Sequence, residues 1–182
     1  MRQVILLFLI LPNLLLAQEV YTNSFNQEYL SLGTINTEND KKSFLNLKNG
    51  EVNWINLSEL QEMQQIDMLS PPIFWDKINK NSIGFYASGY EPFWNAKISK
   101  NKLQLFIEKE ENLNITIDIK NSSLTNNFVA VFHSEDAVYG LIRGLPKGNI
   151  CEENLAELTS IYEIFIDYKG EILEGCAYLD KF

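Results

Sequence analysis

Few side chains in this sequence have the type and setting for chemistry, and Glu91 is the first of them. Tyr90 precedes it and Pro92-Phe93-Trp94 follow. Aromatic neighbours bind sugar faces and raise a carboxyl pKa by desolvation, the setting of a general acid in glycoside hydrolysis. That reaction requires a second carboxyl group across the scissile bond, and no motif singles one out. The competing reading is structural. Pro92 holds Glu91 extended at the head of a strand, where its carboxylate accepts hydrogen bonds from backbone amides at a rim. Trp94, in register with Ala96 and Ile98, then fills a core, and Tyr86, Tyr90 and Phe93 form aromatic contacts around Glu91.

Other constellations are poorer. The chain holds one histidine and two cysteines. His133 ends an apolar run beside Ser134, Glu135 and Asp136, but adjacency in sequence is not triad geometry, and no G-x-S-x-G elbow occurs. C-x-x-C, H-E-x-x-H and calcium-loop patterns are missing, so neither a metal nor a cofactor is expected. Glu108, Glu110 and Glu111 around Lys109 read as a solvated turn. Gly140 and Gly144 flank Arg143 without a following helix signature, so no phosphate-cradling loop is indicated. Arg143 lies in register with Ala137, Tyr139 and Leu141. Its planar guanidinium suits bidentate pairing with a carboxylate, and two readings stand: pairing with Glu91 near one end of the fold, or solvation beyond the strand's end.

The compartment in which these residues work is read from residues 1–18, MRQVILLFLILPNLLLAQ. One cation, Arg2, precedes an apolar run over 4–16, and small Ala17 precedes the polar Gln18 and Glu19. This is the layout of a secretory signal peptide cleaved near Ala17-Gln18. The run falls short of the roughly 18–20 apolar residues that cross a bilayer as a helix, so no membrane span is expected in the mature chain. The expected location is the periplasm or the extracellular space. The chain carries 24 acidic against 15 basic residues, a formal net charge of −9. Nucleic-acid binding needs clustered Lys and Arg to neutralise phosphates, and adhesion to an anionic membrane is disfavoured on the same ground.

The elements that must position these residues fall into two parts. Over 19–81, an N-terminal extension, 28–35 reads as a strand and 44–47 with 52–55 as a hairpin about Asn49-Gly50, a dipeptide suited to positive φ. A helix then starts at Asn56, with Glu59 completing a capping box. It carries Leu57, Leu60, Met63 and Ile66 on one face and ends at Ser70-Pro71-Pro72. Segment 76–81, rich in Lys and Asn, reads as a boundary. From 82 to 182 the pattern is period-two alternation: 83–87, 93–98, 103–108, one strand through Ile115, Ile117 and Ile119, then 128–133, 137–143, 160–168 and 171–179. About eight short strands with frequent turns predict a mainly β fold, a small antiparallel barrel or sandwich.

Three landmarks in this second part stand in a telling order: Gly89-Tyr90-Glu91-Pro92-Phe93-Trp94, then Cys151, then Gly175-Cys176-Ala177. The order resembles a poorly characterised family of exported bacterial envelope proteins with a G-x-EPFW motif and a C-terminal GC pair. That family is distantly similar to META/HslJ and lysozyme-inhibitor-type envelope domains. The resemblance covers roughly 82–181 and implies a compact β-rich envelope domain with no established catalytic activity. The D-x-M-S-G-like stretch that follows the first cysteine in that family reads Glu153-Asn154-Leu155-Ala156-Glu157 here.

Together these readings predict a non-enzymatic, monomeric exported domain that binds an envelope protein, a cell-wall fragment or a small ligand. Tyr86, Tyr90, Glu91, Phe93 and Arg143 are its candidate binding residues. The alternatives are a wall-active hydrolase built on Glu91 and a structural or assembly module acting through the extension. In an oxidising compartment the two cysteines, Cys151 and Cys176, are expected to form a disulfide. N-terminal sequencing of the protein purified from the producing cell's envelope is expected to read Gln18 or Glu19 first, and a retained Met1 would contradict export.

Overall fold

The computed structural model describes residues 18–110, 112–121, 128–135, 138–146, 148–152 and 158–182. The expected leader, Glu111, Ala137 and the 153–157 stretch lie outside or mostly outside these. Four strands come first: β1 (Glu19–Thr22), β2 (Glu28–Asn36), β3 (Lys41–Asn46) and β4 (Val52–Asn56). Each pairs antiparallel with the next. The β3–β4 hairpin turns at Asn49-Gly50 as predicted. Gly50 sits at φ 72°, and its N–H donates to the Asn46 carbonyl at 2.9 Å.

Here the structure corrects the sequence reading. The helix beginning at Asn56 lasts one turn, α1 (Leu57–Leu60). Asn56 makes no side-chain cap; its amide donates instead to the Glu59 carboxylate at 2.8 Å. The chain then extends as β5 (Gln64–Met68) along β1. The longer helix lies on the far side of the prolines, α2 (Pro71–Lys80), where a boundary was expected. Proline at the first helical positions starts a helix as readily as it stops one, because the N–H it lacks has no intrahelical partner there. Phe74, Trp75 and Ile78 supply the buried stripe of α2. Leu60 and Met63 still pack against Tyr21 and Phe44, so part of the expected apolar face does dock on the sheet.

The alternating second part builds β6 (Ile83–Tyr90), β7 (Phe93–Ser99), β8 (Lys102–Ile107), β9 (Leu113–Thr116), β10 (Asp118–Asn121), β11 (Val129–His133), β12 (Val138–Gly144), β13 (Cys151–Glu152), β14 (Leu158–Ser160), β15 (Tyr162–Tyr168) and β16 (Glu171–Lys181). Nine of these form a nearly closed antiparallel barrel in the order β10-β11-β12-β15-β16-β6-β7-β8-β9. Closure follows from the chain itself. β9 and β10 lie at opposite edges of the sheet yet are separated only by Ile117, so the edges must meet. The single strand expected through Ile115, Ile117 and Ile119 is therefore two strands, broken where buried Ile117 donates its N–H to the Asn101 carbonyl at 3.1 Å.

The strand expected over 160–168 is also two. β14 pairs with β2 in the first sheet, whereas β15 belongs to the barrel. Ile161 makes the crossing, its N–H donating to the carbonyl of Gly33 at 3.1 Å. Gly33 sits at φ 75°, and a side chain there would collide with Ile161. Strands from both sides of the 81/82 division thus share one sheet, and residues from both parts share one core that runs from Val20 and Leu30 to Leu179. The α2 rings enter that core. Phe74 meets Phe128 at 5.6 Å, Trp75 stacks on Phe85 at 6.1 Å, and Phe85 meets Tyr162 edge-on at 5.1 Å. Because Ile83 and Tyr162 begin their strands there, α2 closes that end of the barrel. The Glu91-Pro92 and Lys169-Gly170 turns lie at the other end.

The G-x-EPFW and GC segments meet inside this barrel. Trp94 is 1% exposed. A Cβ on Gly89 would collide with the Trp94 indole nitrogen and the Glu174 carbonyl; one on Gly175 would collide with the Ser88 carbonyl and come within 2.9 Å of the indole ring. Both glycines therefore serve close approach rather than turning. Gly175→Ala places its methyl against backbone that cannot swing aside. It is expected to cost about 3 kcal/mol and to lower the Tm by about 6–12 °C. An unchanged melting curve would show that Trp94 is not held between the two glycines.

Candidate recognition face

Tyr90 and Phe93 pair directly, leaving Glu91 and Pro92 as a two-residue turn joined by a cis peptide bond. Glu91 is therefore exposed at the tip of a turn rather than at the head of a strand. From this turn the side chains alternate. Trp94, Ala96 and Ile98 point inward and are buried, as the sequence pattern predicts. Tyr86, Ser88 and Tyr90 of β6, and Phe93, Asn95 and Lys97 of β7, point outward.

Outside the barrel these rings gather. Tyr90 and Phe93 are 38% and 43% exposed, with centroids 6.4 Å apart. Phe93 meets Phe106 of β8 edge-on at 6.3 Å. Tyr86 is half-buried four residues back along β6, opposite Lys97 and Tyr178. Beside the rings, the outer face of β7, β8 and β9 dips into a hollow of about 430 Å³ that includes Asn95, Gln104, Phe106 and Asn114. The sequence reading missed this hollow. Its only trace in the sequence is the carboxamides at outward positions of consecutive strands.

Arg143 does not join this group. It stands on β12, three strand spacings from β6, about 14 Å at the usual interstrand distance. The partner of Arg143 is Glu163 on the neighbouring strand β15, and the guanidinium lies 5.8 Å from the Phe165 ring centroid. Pairing with Glu91 is thereby corrected; Arg143 is exposed to solvent, as the alternative reading has it, but within the strand rather than beyond its end. A residue directly across the ladder satisfies the guanidinium before a distant turn can, and register rather than residue type decides which carboxylate that is.

Cys151 and Cys176 stand at disulfide distance, with Cα atoms 5.6 Å apart. β13 carries Cys151 in the first sheet and β16 carries Cys176 in the barrel, so a bond there staples one sheet to the other. The closed loop spans a sequence separation of 25, for which chain entropy assigns about 3.5 kcal/mol.

Other polar contacts lie outside this group. His133 stacks on Tyr139 at 6.2 Å, with Nε2 4.0 Å from Asp118. Across the open end of the barrel, Lys169 donates to Glu110 at 3.2 Å. The Tyr168 hydroxyl and the Glu110 carboxylate together raise the Lys169 pKa above its ordinary value. In the first sheet the Tyr21 hydroxyl donates to the buried Glu19 carboxylate at 2.8 Å. Burial, with Glu19 adding to it, pushes the Tyr21 phenol pKa up, while burial pulls Lys42 down against the opposing pull of Glu19. Among the described residues no helix is long and apolar enough to cross a membrane. Compared with known protein families, curated proteins and solved structures, the chain matches none.

Proposed function

We propose that the protein is an exported, non-catalytic envelope domain that captures its ligand on the outer face of the barrel around Tyr90 and Phe93. The observation that carries this reading is the pair of solvent-facing rings paired across the β6–β7 turn, on strands that each have a neighbour on both sides. Their exposure is imposed by the inward turn of Trp94 between them and Asn95. Aromatic side chains held this way present large contact area at little conformational cost. The leader-like N-terminus supports export, and so does the cysteine pair at disulfide distance, which we take to be bonded in the exported protein. A hydrolase role for Glu91 depends on desolvation by its aromatic neighbours, which an exposed turn tip does not supply.

The test is co-sedimentation of the mature protein with envelope fractions of the producing cell, with soluble products assayed in the supernatant. The wild type is expected to sediment, and Tyr90→Ala/Phe93→Ala to lose at least about tenfold in apparent affinity, the scale of one or two aromatic anchors. No soluble fragments are expected. Release of fragments that stops in Glu91→Gln would replace this reading with the hydrolase.

A further inference from the structure

The hollow on the outer face of β7, β8 and β9 is lined mainly by carboxamides. It is lined by Asn95, Lys97, Gln104, Phe106, Asn112 and Asn114, together with Leu113 and part of Leu105. In a chain with 24 acidic residues none of these is acidic, and Lys97 is the only ionised group among them. Among the described lining residues a cation therefore finds no counter-charge, and a neutral or anionic ligand meets no repulsion.

What the lining offers instead is carboxamide groups. Each amide side chain carries two N–H donors and an acceptor oxygen. Hydroxyl groups, which both donate and accept, are satisfied by such a group in a way that a lone carboxylate or ammonium cannot match. These amides are also organised. Gln104 donates its Nε2 to Asn114 Oδ1 at 3.0 Å across the β8–β9 ladder. This leaves the Gln104 oxygen free to accept and the Asn114 amide free to donate into the hollow. Asn95 lies opposite Phe106, and Lys97 opposite Gln104, so the hollow has two rows roughly 7 Å apart along the strands. One row pairs an amide with an aromatic ring, and the other pairs amides with a cation. Phe106 is held edge-on by Phe93, and its ring provides an apolar surface for the C–H face of a ring-shaped ligand.

An apolar face flanked by donor–acceptor pairs, with no acid among the described lining residues, is the complement of a pyranose. We infer that this hollow binds a saccharide, either neutral or bearing one carboxylate that Lys97 meets. The inference rests on the reading of the outer face as the recognition surface and adds the class of ligand it takes.

The test is isothermal titration of the mature protein with two probes, a chito-oligosaccharide and an oligogalacturonate. Glycerol and citrate serve as hydroxyl-only and charge-only controls. Both saccharides are expected to bind and neither control. Asn95→Leu, which is near-isosteric, and Gln104→Leu, both on the outer surface, are expected to weaken both saccharides at least about tenfold, the effect of one or two lost hydrogen bonds. Lys97→Gln is expected to weaken the oligogalacturonate alone. Circular dichroism melts confirm that each variant keeps its fold. The inference is overturned if neither saccharide binds up to about 10 mM, a free energy below 3 kcal/mol in magnitude, or if Asn95→Leu and Gln104→Leu bind as the wild type does. Loss of saccharide binding with retained, Tyr90- and Phe93-dependent envelope binding overturns this inference alone and leaves the proposed function standing.

Discussion

The packing of Trp94 between Gly89 and Gly175 is the constraint from which the outside of the barrel follows. With the indole buried against two backbones that a single methyl would push apart, the relative register of β16, β6 and β7 has no freedom to slip. A slip of one residue in any of them would turn every side chain over. Tyr86, Ser88 and Tyr90 face solvent because Gly89 faces the indole, and Phe93, Asn95 and Lys97 face solvent because Trp94 does not. Removing a side chain of this size from a core costs about 3–5 kcal/mol. The interior contact is thus strong enough to dictate the exterior pattern. The same register sets Cys176 opposite Ser88, where it reaches Cys151.

Around this contact the molecule is held shut from several directions. Ile117 carries the chain from one edge of the barrel to the other, and Ile161 carries it from the first sheet into the barrel. α2 fills the end where Phe85, Phe128 and Tyr162 converge. The cysteine pair stands at disulfide distance between β13 and β16. A barrel closed this way, with its interior filled by side chains, has its outer surface and its rim available for recognition. That favours a binding surface built on paired strands, whose rings and amides lose little freedom on meeting a ligand.

Much of this was legible in the sequence. Period-two alternation identified the strands of the barrel, and the inward set of Trp94, Ala96 and Ile98 followed from it. The Asn49-Gly50 turn was marked by its residue types. What escaped has physical causes. The breaks at Ile117 and Ile161 leave the alternation undisturbed, because a buried residue that crosses between sheets looks the same as one continuing a strand. α2 was hidden by prolines that mark either end of a helix, and by a short buried stripe, Phe74, Trp75 and Ile78, set among polar residues. The partner of Arg143 depends on strand order, which pairing creates and local sequence does not encode. The amide hollow is spread over three strands and becomes a unit only when β7, β8 and β9 are laid side by side.

The central claim is that the outward face created by the Trp94 register is the surface that meets the ligand. Asn and Gln side-chain amides give their own nitrogen–proton signals, so the face can be observed directly. A titration of the ¹⁵N-labelled protein with a solubilised cell-wall digest, followed by ¹H–¹⁵N correlation spectra, is the most direct test. The account predicts that the carboxamide signals of Asn95, Gln104 and Asn114 and the backbone signals of Tyr90 and Phe93 shift together, while α2 and the first sheet stay still. Shifts concentrated on α2 or on β1 to β5, with the β7–β9 amides unmoved, would contradict it.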